Sequence, residues 1–522
     1  MKFLEQIRRS KFYPLVLVLL GSTLLSLGWP TNKLGFLLFF GFIPFFELVN
    51  YSLNNGMRRI VLFLYLYLGF FIWNLGTTWW VWIADETGAT MAFVLNSLFM
   101  TIPFLLYHFV KKGVNSVVAS LAFISFWLAF EFLHLNWDLS WPWLTLGNGL
   151  AEMPSWVQWY EYTGVLGGSV YILVVNITLY RLFTNRGLLL TNFFTVVFLA
   201  IAPFIVPVTE IEDLNIAEKK EVVIIQPNVD IETKFDDSKH EETFLELIEL
   251  TEQAITPQTS YVFWPETAIQ GWIKESSATS NESVQKLKRF VQKHSYVNLI
   301  TGIESFEQTN VAQQKSSTKW NENLGYYETY NTALLINKDT MAFYHKSKLV
   351  PGAELTPFSG VVSPLIQLMN FPHMGNYTIS DSSFNFYDAT PLICYESIYG
   401  DYVGEFIQKG AGFLSTITND VWWENTDGHR QHFTYARLRA IENRKQVLQC
   451  ANTGISGIFD AEGMLISKTE FDEKTIVKAV IPINYEITFY AKHGDYIGRV
   501  AAFLAIVLLL SGFVKKKVKY GR

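Results

Sequence analysis

The chain has 522 residues, of which 50% are hydrophobic and 17% are charged, and its formal net charge is −6 at pH 7. This composition is too apolar for an ordinary soluble protein and too mixed for a chain made of membrane helices alone. The acidic balance gives no reason to expect a nucleic-acid partner, and 2 cysteines cannot build a disulfide framework.

Eight apolar runs are long enough to cross a bilayer, which needs about 20 residues per helix. They cover roughly 12–29, 34–52, 60–83, 90–110, 115–135, 164–183, 188–207 and 497–514. The first run has the basic flank of a signal peptide, but no small-residue cleavage site stands out, so we expect an uncleaved helix. Residues 137–160 are aromatic and broken by prolines, which favours a loop or an interfacial segment. We therefore predict a polytopic α-helical membrane domain with eight transmembrane helices.

Basic residues mark every second connection between these runs. They are Lys2, Arg8, Arg9 and Lys11, then Arg58 and Arg59, Lys111 and Lys112, Arg181 and Arg186, and Lys515, Lys516, Lys517, Lys519 and Arg522. Positive residues stay on the cytoplasmic side of a membrane. We therefore predict that both termini are cytoplasmic and that the segment between the seventh and eighth runs lies outside the plasma membrane.

Two carboxylates lie within or at the edge of the apolar runs. Glu47 is in the second run and Glu131 is in the fifth. Ionisable groups in a membrane are costly and often functional, but a position near the interface would leave them hydrated. The sequence leaves both interpretations open.

From residue 221 the pattern changes to short strands rich in Val and Ile that alternate with helical segments. The predicted strands are 221–226, 261–265, 297–302, 331–337, 341–345, 389–394, 413–419, 446–451 and 455–460, and the predicted helices are 239–255, 281–294 and 430–443. This alternation indicates a layered α/β domain.

Residues 304–325 are polar, and we expect a loop there. The predicted domains are thus 1–210 in the membrane, 211–495 outside it, and 496–522 as the last helix and a basic tail.

Three segments of the outer domain place a reactive side chain at the end of an apolar strand: Glu266, Lys346 and Cys394. A cysteine with its reference pKa of about 8.5 is mostly protonated at pH 7. It needs a base to remove its proton and a positive group to hold a developing oxyanion. Glu266 suits the first role and Lys346 the second, so the three residues predict a nucleophilic acyl-transfer site.

Further residues around these three have expected supporting roles. The backbone N–H of Tyr395 follows the thiol and suits a second oxyanion donor. Glu354 comes eight residues after Lys346 and can pair with it, while Glu396, if it continues the strand, points to the same side as Cys394. Lys348 is the alternative lysine, and the spacing of Glu354 favours Lys346.

The remaining candidates have simpler interpretations. Cys450 is expected to be a small core residue. His429 and His432 are three residues apart, but no cysteine or acidic residue has the spacing of a zinc site. We therefore predict helix-capping or packing roles for the two histidines and no metal.

The segments Val-Phe-Trp-Pro-Glu at Glu266, Tyr-His-Lys at Lys346 and Ile-Cys-Tyr-Glu at Cys394 resemble the Glu-Lys-Cys signature of the nitrilase superfamily. With the seven-plus-one helix pattern, and with the segments 141–148, 418–423 and 432–442, the chain resembles the apolipoprotein N-acyltransferase family over nearly its full length. The resemblance implies a nitrilase-like αββα sandwich and a catalytic Glu266, Lys346 and Cys394, supported by Glu354, Tyr395 and Glu396, without a cofactor.

The chain departs from that family at one position. The family often has a tryptophan after the first strand of the outer domain, near the substrate entrance, and the nearest match here is Phe235. Phe235, Trp422 and Trp423 are therefore possible substrate contacts.

The function implied by the resemblance is acyl transfer at the periplasmic face of the bacterial inner membrane. A fatty acyl chain would pass from a phospholipid to Cys394 as a thioester, and then to the α-amine of the S-diacylglyceryl cysteine of an apolipoprotein. The partners would be these two lipids, and the expected state is a monomer. Two alternatives stay open: a membrane-tethered nitrilase-type amidase, and a non-catalytic lipid-binding protein.

Overall fold

The structure is a computed structural model that describes residues 10–185, 187, 189–209, 216–359, 376–380 and 382–520. Contacts within the chain divide it into two units, one formed by Met1–Val208 with Asp495–Arg522 and the other by Thr209–Gly494. The predicted domain boundaries and the orientation in the membrane stay predictions. Several of the basic residues that carry the orientation lie outside the described residues, namely Lys2, Arg8, Arg9, Arg186 and Arg522.

The first unit is helical at each of the eight apolar runs. Its helices of more than ten residues are α1 (Tyr13–Leu27), α2 (Ile43–Asn55), α3 (Arg59–Thr78), α4 (Glu86–Lys111), α5 (Ser116–Leu135), α6 (Tyr160–Thr184), α7 (Leu189–Ile205) and the C-terminal helix Tyr496–Tyr520, and two short helices are Leu38–Gly41 and Val81–Ala84. Among the described residues, six segments are long and apolar enough to cross a membrane, and α1 and α7 are shorter apolar helices. A helical membrane domain fits this unit, and the number of eight crossings stays a prediction.

The segment 137–160 is not a simple surface loop. It contains three short 3₁₀ turns (Pro142–Leu144, Leu146–Leu150 and Pro154–Trp156), and 142–151 are buried. Buried backbone groups need hydrogen-bond partners. The Oε1 atom of Glu131 accepts a hydrogen bond from the backbone N–H of Leu146 at 2.8 Å and another from Trp127 Nε1 at 2.9 Å.

Glu131 and Glu47, the two carboxylates in the apolar runs, both have hydrogen-bond partners within the protein. Glu131 is buried, so the interpretation that it is hydrated at the interface is wrong. Glu47 accepts hydrogen bonds from the hydroxyls of Tyr13 at 3.2 Å and Tyr180 at 3.0 Å.

The second unit contains two β-sheets. Its described strands are β1 (Ile216–Gln226), β2 (Thr259–Phe263), β3 (Ile269–Lys274), β4 (Asn298–Gln308), β5 (Lys319–Asn321), β6 (Gly325–Ile336), β7 (Met341–His345), β8 (Leu392–Ile393), β9 (Leu414–Thr418), β10 (Val447–Ala451), β11 (Gly457–Phe459), β12 (Leu465–Lys468) and β13 (Thr475–Asn484). One sheet has the order β13-β1-β2-β4-β6-β5, with β3 paired to β4 and β7 paired to β6, and the other has the order β12-β11-β10-β9-β8.

Helices cover the outer face of each sheet. The helices of this unit are α8 (His240–Ala254), α9 (Glu282–Lys293), α10 (Gly400–Gln408), α11 (Asp427–Asn443) and α12 (Phe489–His493), with one further helical turn at Ile231–Lys234. Helices α8 and α9 pack on the larger sheet, and α11 packs on β10 and β11 of the smaller sheet. The sheets face each other, since β10 contacts β1 and the Cys450 sulfur lies 3.4 Å from the carbonyl oxygens of both Ile225 and Phe263, to one of which its single hydrogen can be donated. The predicted αββα sandwich is confirmed.

Two local predictions differ from the structure. The polar segment 304–325 is not all loop, because β4 continues to Gln308 in antiparallel register with β6, and β5 pairs with the start of β6. The strand predicted at 389–394 is reduced to the two residues of β8. Pro391 has no N–H to donate to a sheet, and Cys394 begins a 3₁₀ turn with φ of +49°.

Cys450 provides a test of the packing between the sheets. Cys450→Ala removes one buried sulfur atom, and we expect the free energy of unfolding to fall by on the order of 1 kcal/mol through loss of packing. Thermal unfolding of the detergent-solubilised protein measures this change. An unchanged melting temperature would contradict the packed position of the side chain.

Candidate active site

The predicted catalytic residues come together because parallel strands end at the same edge of each sheet. Strands β1, β2 and β4 run parallel in one sheet, as do β8, β9 and β10 in the other. Glu266 lies just beyond β2, and Cys394 directly follows β8. Strand β9 pairs with β8, and the turn after β9 reaches Glu266, since the backbone N–H of Asn419 donates to Glu266 Oε2 at 3.1 Å.

Lys346 lies between two carboxylates. Its Nζ atom is 3.2 Å from Glu266 Oε1 and 2.8 Å from Glu354 Oε1, and its side chain is only 1% exposed. The amide Nδ2 atom of Asn331 donates to the same two oxygens, at 2.7 Å and 3.1 Å. Asn331 was not identified from the sequence, because nothing in its own strand distinguishes it. These four side chains form one buried polar network.

The charges of the network keep Lys346 protonated. Burial alone lowers the pKa of a lysine, but the carboxylates of Glu266 and Glu354 outweigh burial and hold the pKa of Lys346 well above its usual value. Lys348 lies elsewhere, with its ammonium over the rings of Tyr399 and Tyr402 at 5.3 Å and 5.4 Å. The geometry therefore favours Lys346 as the working lysine.

Cys394 is partly exposed and has a left-handed backbone conformation. Such a conformation is unfavourable for a residue with a Cβ atom, and it marks a turn that the surrounding structure holds in place. Burial of the thiol and the negative charge of Glu266 raise the pKa of Cys394 well above its usual value, and the charge of Lys346 opposes them. The thiol is therefore protonated at rest and needs a base to become a nucleophile.

Glu396 does not point to the same side as Cys394, as a continued strand would require. It lies in the 3₁₀ turn Cys394–Ile398, and its Oε1 atom accepts hydrogen bonds from the backbone N–H of Ser347 at 2.7 Å and the hydroxyl of Tyr344 at 2.8 Å. Burial raises the pKa of Glu396 to about 7. Glu396 therefore fixes the backbone next to Lys346. It forms no hydrogen bond with the Lys346 ammonium or with the Cys394 thiol among the described residues.

The aromatic candidates lie at different depths. Phe235 and Trp422 are both exposed, and their ring centroids are 6.1 Å apart. Trp423 packs edge-on against His432 at 5.8 Å. Tyr395 is buried and contacts the ring of Tyr399. Phe235 and Trp422 thus offer an exposed apolar surface, whereas Trp423 contributes to packing.

His432 was assigned a packing or capping role from the sequence, and the structure gives it an acidic partner. Its Nδ1 atom is 3.1 Å from Asp420 Oδ1, and both side chains are fully buried. Ligand atoms of Cys394, Asp420 and His432 all lie within 4.8 Å of one another. Such a trio has the donor types of a zinc site, but both ring nitrogens of His432 already contact protein groups, which favours a hydrogen-bonded arrangement. Sequence spacing missed this trio because three separate segments supply it.

His429 keeps its predicted packing role. Its Nδ1 atom is 3.1 Å from the carbonyl oxygen of Glu424, and its ring lies against Phe471.

Together these groups supply the parts of covalent acyl transfer. Glu266 offers a carboxylate that can accept a proton, Lys346 an ammonium group held in its charged form, and Cys394 a thiol on a partly exposed residue. A thiol nucleophile with an adjacent base and a positive oxyanion partner attacks the carbonyl carbon of an ester or amide.

Comparisons with known proteins match both units. The family model described as carbon-nitrogen hydrolase matches residues 222–488, and the model described as apolipoprotein N-acyltransferase N-terminal domain matches residues 21–178. An apolipoprotein N-acyltransferase of Chlorobaculum tepidum is 28% identical, over 97% of this chain and 97% of that protein. One of Wigglesworthia glossinidia brevipalpis is 25% identical, over 86% and 89%. Apolipoprotein N-acyltransferase 2 of Treponema denticola is 24% identical, over 97% and 98%.

Glu266→Gln should separate thiol acidity from catalysis. Since the carboxylate of Glu266 raises the pKa of Cys394, its removal lowers that pKa. Below the pKa, the thiolate fraction rises about tenfold for each unit of decrease, but the thiolate also becomes a weaker nucleophile, so alkylation by iodoacetamide accelerates about threefold per unit. Enzymatic acylation of Cys394 should fall by about 10²–10⁴-fold, because the base is lost. Alkylation rates from pH 6 to 9 in a Cys450→Ala background measure the first effect, and slower alkylation of the variant would contradict it.

Gly302→Ala should displace the base without removing it. A Cβ atom at Gly302 would lie 2.3 Å from the backbone nitrogen of Thr267 and 2.5 Å from the Cα atom of Glu266. Backbone atoms cannot move aside as a flexible side chain does, so the Glu266 turn must shift. We expect enzymatic acylation of Cys394 to fall by about 10²-fold, the effect of a misplacement of about 1 Å. Single-turnover acylation followed by mass spectrometry tests this, and Ile303→Val on the same strand serves as the control.

Proposed function

Because the chain belongs to the carbon-nitrogen hydrolase family, we propose that Glu266, Lys346 and Cys394 carry out covalent acyl transfer in which a lipid is the donor. The enzyme transfers a fatty acyl chain from a membrane phospholipid to the α-amine of the N-terminal S-diacylglyceryl cysteine of an apolipoprotein. It is an N-acyltransferase of bacterial lipoprotein maturation.

The observation that carries this proposal is that one chain contains both a Glu-Lys-Cys site and a helical unit that matches a known family model. The helical unit matches the N-terminal domain of apolipoprotein N-acyltransferases, and a relative of that name is similar over 97% of the chain. A membrane-embedded unit suits substrates that are themselves anchored in a bilayer.

The first half-reaction forms a thioester. Glu266 accepts the proton of the Cys394 thiol, and the sulfur attacks the carbonyl carbon of the phospholipid ester. The carbonyl π electrons move to the oxygen, where the Lys346 ammonium and the Tyr395 N–H stabilise the negative charge. When the carbonyl re-forms, the bond to the glycerol oxygen breaks. That oxygen takes the proton from Glu266, and the lysophospholipid leaves.

The second half-reaction transfers the acyl group to nitrogen. The neutral α-amine of the acceptor attacks the thioester carbonyl, and Glu266 accepts a proton from the nitrogen. The tetrahedral intermediate collapses with loss of the Cys394 thiolate, which regains the proton from Glu266. The products are an amide and the free enzyme, in a ping-pong sequence.

The charge pattern of the chain supports a location and an orientation in the membrane. The alternation of basic connections supports a periplasmic catalytic unit and cytoplasmic termini, in a multi-pass protein of the bacterial inner membrane. Phe235 and Trp422, which are exposed beside each other, are placed to contact an acyl chain. The active unit is a monomer.

A membrane-tethered amidase is the second candidate, because the same three residues would hydrolyse an amide if water attacked the thioester. A single anchor would suffice for tethering, whereas six described segments have the length and hydropathy of a membrane crossing. This difference favours a lipid substrate. A non-catalytic lipid-binding protein would have no need for a buried lysine held between two carboxylates.

The test is direct observation of the acyl-enzyme. Purified protein is incubated with phospholipid, and intact mass should show one acyl group on Cys394, which transfers to an added diacylated lipopeptide. Cys394→Ala should abolish the adduct, and Cys450→Ala should retain it. An adduct that is lost to water but never passes to the peptide supports the amidase, and no adduct in the wild type contradicts acyl transfer.

A further inference from the structure

Two fully buried side chains that the proposed mechanism does not use lie beneath the nucleophile. His432 is on α11, and Asp420 follows β9. The carboxylate of Asp420 accepts a hydrogen bond from the Thr418 hydroxyl at 2.8 Å and faces Nδ1 of His432 at 3.1 Å. Since a carboxylate only accepts, Nδ1 is the donor, and this bond fixes the orientation of the imidazole ring.

The other nitrogen of the ring faces the turn that carries the thiol. Nε2 of His432 is 3.2 Å from the Ser397 hydroxyl and 3.3 Å from the carbonyl oxygen of Cys394. The hydroxyl of Ser397 also donates to that carbonyl, at 2.8 Å. Because Nδ1 is the donor, Nε2 is an acceptor, and the Ser397 hydroxyl is the donor that lies between Nε2 and the Cys394 carbonyl. His432 and Ser397 therefore clamp the backbone of the nucleophile, with the histidine acting through the serine hydroxyl.

This backbone needs such a clamp. Cys394 has φ of +49°, a conformation that costs a residue with a Cβ atom about 1–3 kcal/mol and persists only where the surroundings hold it. The same turn supplies the Tyr395 N–H, the proposed oxyanion donor. Release of the turn would move the nucleophile and the oxyanion donor together.

The turn after β9 also connects this clamp to the base. Asp420 orients His432, and its neighbour Asn419 donates to Glu266 Oε2 at 3.1 Å. The nucleophile and the base are thus held from adjacent residues of one turn.

We propose that His432 is a positioning residue for acylation, held by Asp420, which keeps the Cys394–Ile398 turn in its left-handed conformation so that the thiol and the Tyr395 N–H face the same carbonyl group. The proposal rests on the proposed function, because it concerns formation of the acyl-enzyme. It adds a Cys-His-Asp group to the Glu-Lys-Cys set without a proton transfer to the imidazole.

The test compares His432→Leu, which has no ring nitrogen, with His432→Gln, whose amide oxygen can accept a hydrogen bond from the Ser397 hydroxyl. Single-turnover acylation by phospholipid should slow about 100-fold in His432→Leu, the effect of a displacement of about 1 Å, with the KM for phospholipid within about threefold of wild type. His432→Gln should recover at least tenfold of the loss. His429→Leu, one turn earlier on the same helix, is the matched control and should acylate at the wild-type rate.

A second measurement uses no lipid. Alkylation of Cys394 by iodoacetamide in a Cys450→Ala background should be at least threefold slower in His432→Leu than in wild type, because the thiol is displaced. This comparison remains informative if the wild type forms no acyl adduct, so failure of the positioning proposal and failure of the proposed function are distinguishable. If His432→Leu does not fold, Ser397→Ala removes the other half of the clamp and should slow alkylation and acylation in the same direction.

Three results would overturn the proposal. In the first, folded His432→Leu acylates and alkylates at the wild-type rates. If the leucine variant does not fold, the same result in Ser397→Ala counts instead. The second is a raised KM with an unchanged acylation rate, which would indicate a substrate contact instead. The third is an equal loss in His432→Gln and His432→Leu with a lowered melting temperature in both, which would indicate packing alone.

Discussion

A lysine ammonium buried between two carboxylates is the constraint on which the site depends. A buried charge is tolerated only with close partners, so Glu266 and Glu354 must both stay beside Lys346. In the proposed mechanism Glu266 therefore has two tasks, since it neutralises the lysine at rest and accepts a proton during the reaction. When Glu266 becomes protonated, Lys346 loses part of its compensation. Its field on a developing oxyanion is then strongest at the moment that negative charge appears on the substrate.

The sandwich makes this arrangement possible by bringing the carboxyl ends of two parallel strand groups to one place. Strand β2 leads to Glu266, the proposed base, and β8 leads to Cys394, the proposed nucleophile. The larger sheet also supplies Asn331, whose amide joins the two carboxylates. Because each group comes from a different strand, the loops between them can differ widely in length while the catalytic distances stay fixed by the sheets.

Much of this could be predicted from the sequence, because apolar runs and strand-terminal Glu, Lys and Cys residues are local signals. The layered α/β class and the helices at each apolar run follow from such patterns, whereas the αββα sandwich was implied by the resemblance to the nitrilase superfamily. Asn331, the actual direction of Glu396 and the pairing of His432 with Asp420 could not be predicted. Each depends on contacts between residues far apart in the chain, or on a turn that interrupts an expected strand after two residues. Strands β3, β5, β12 and β13 were missed for a related reason, since they are short, or polar on one face, and are defined by their neighbours.

Cys394, the proposed nucleophile, has a left-handed backbone conformation that is typical of glycine. A chain selected only for thermodynamic stability would therefore favour glycine at this position, since glycine adopts this conformation without strain. The thiol is retained against that preference. In directed evolution for heat resistance, glycine in place of Cys394 would be a stabilising change, and under the proposed mechanism it would abolish activity, a direct conflict between stability and turnover.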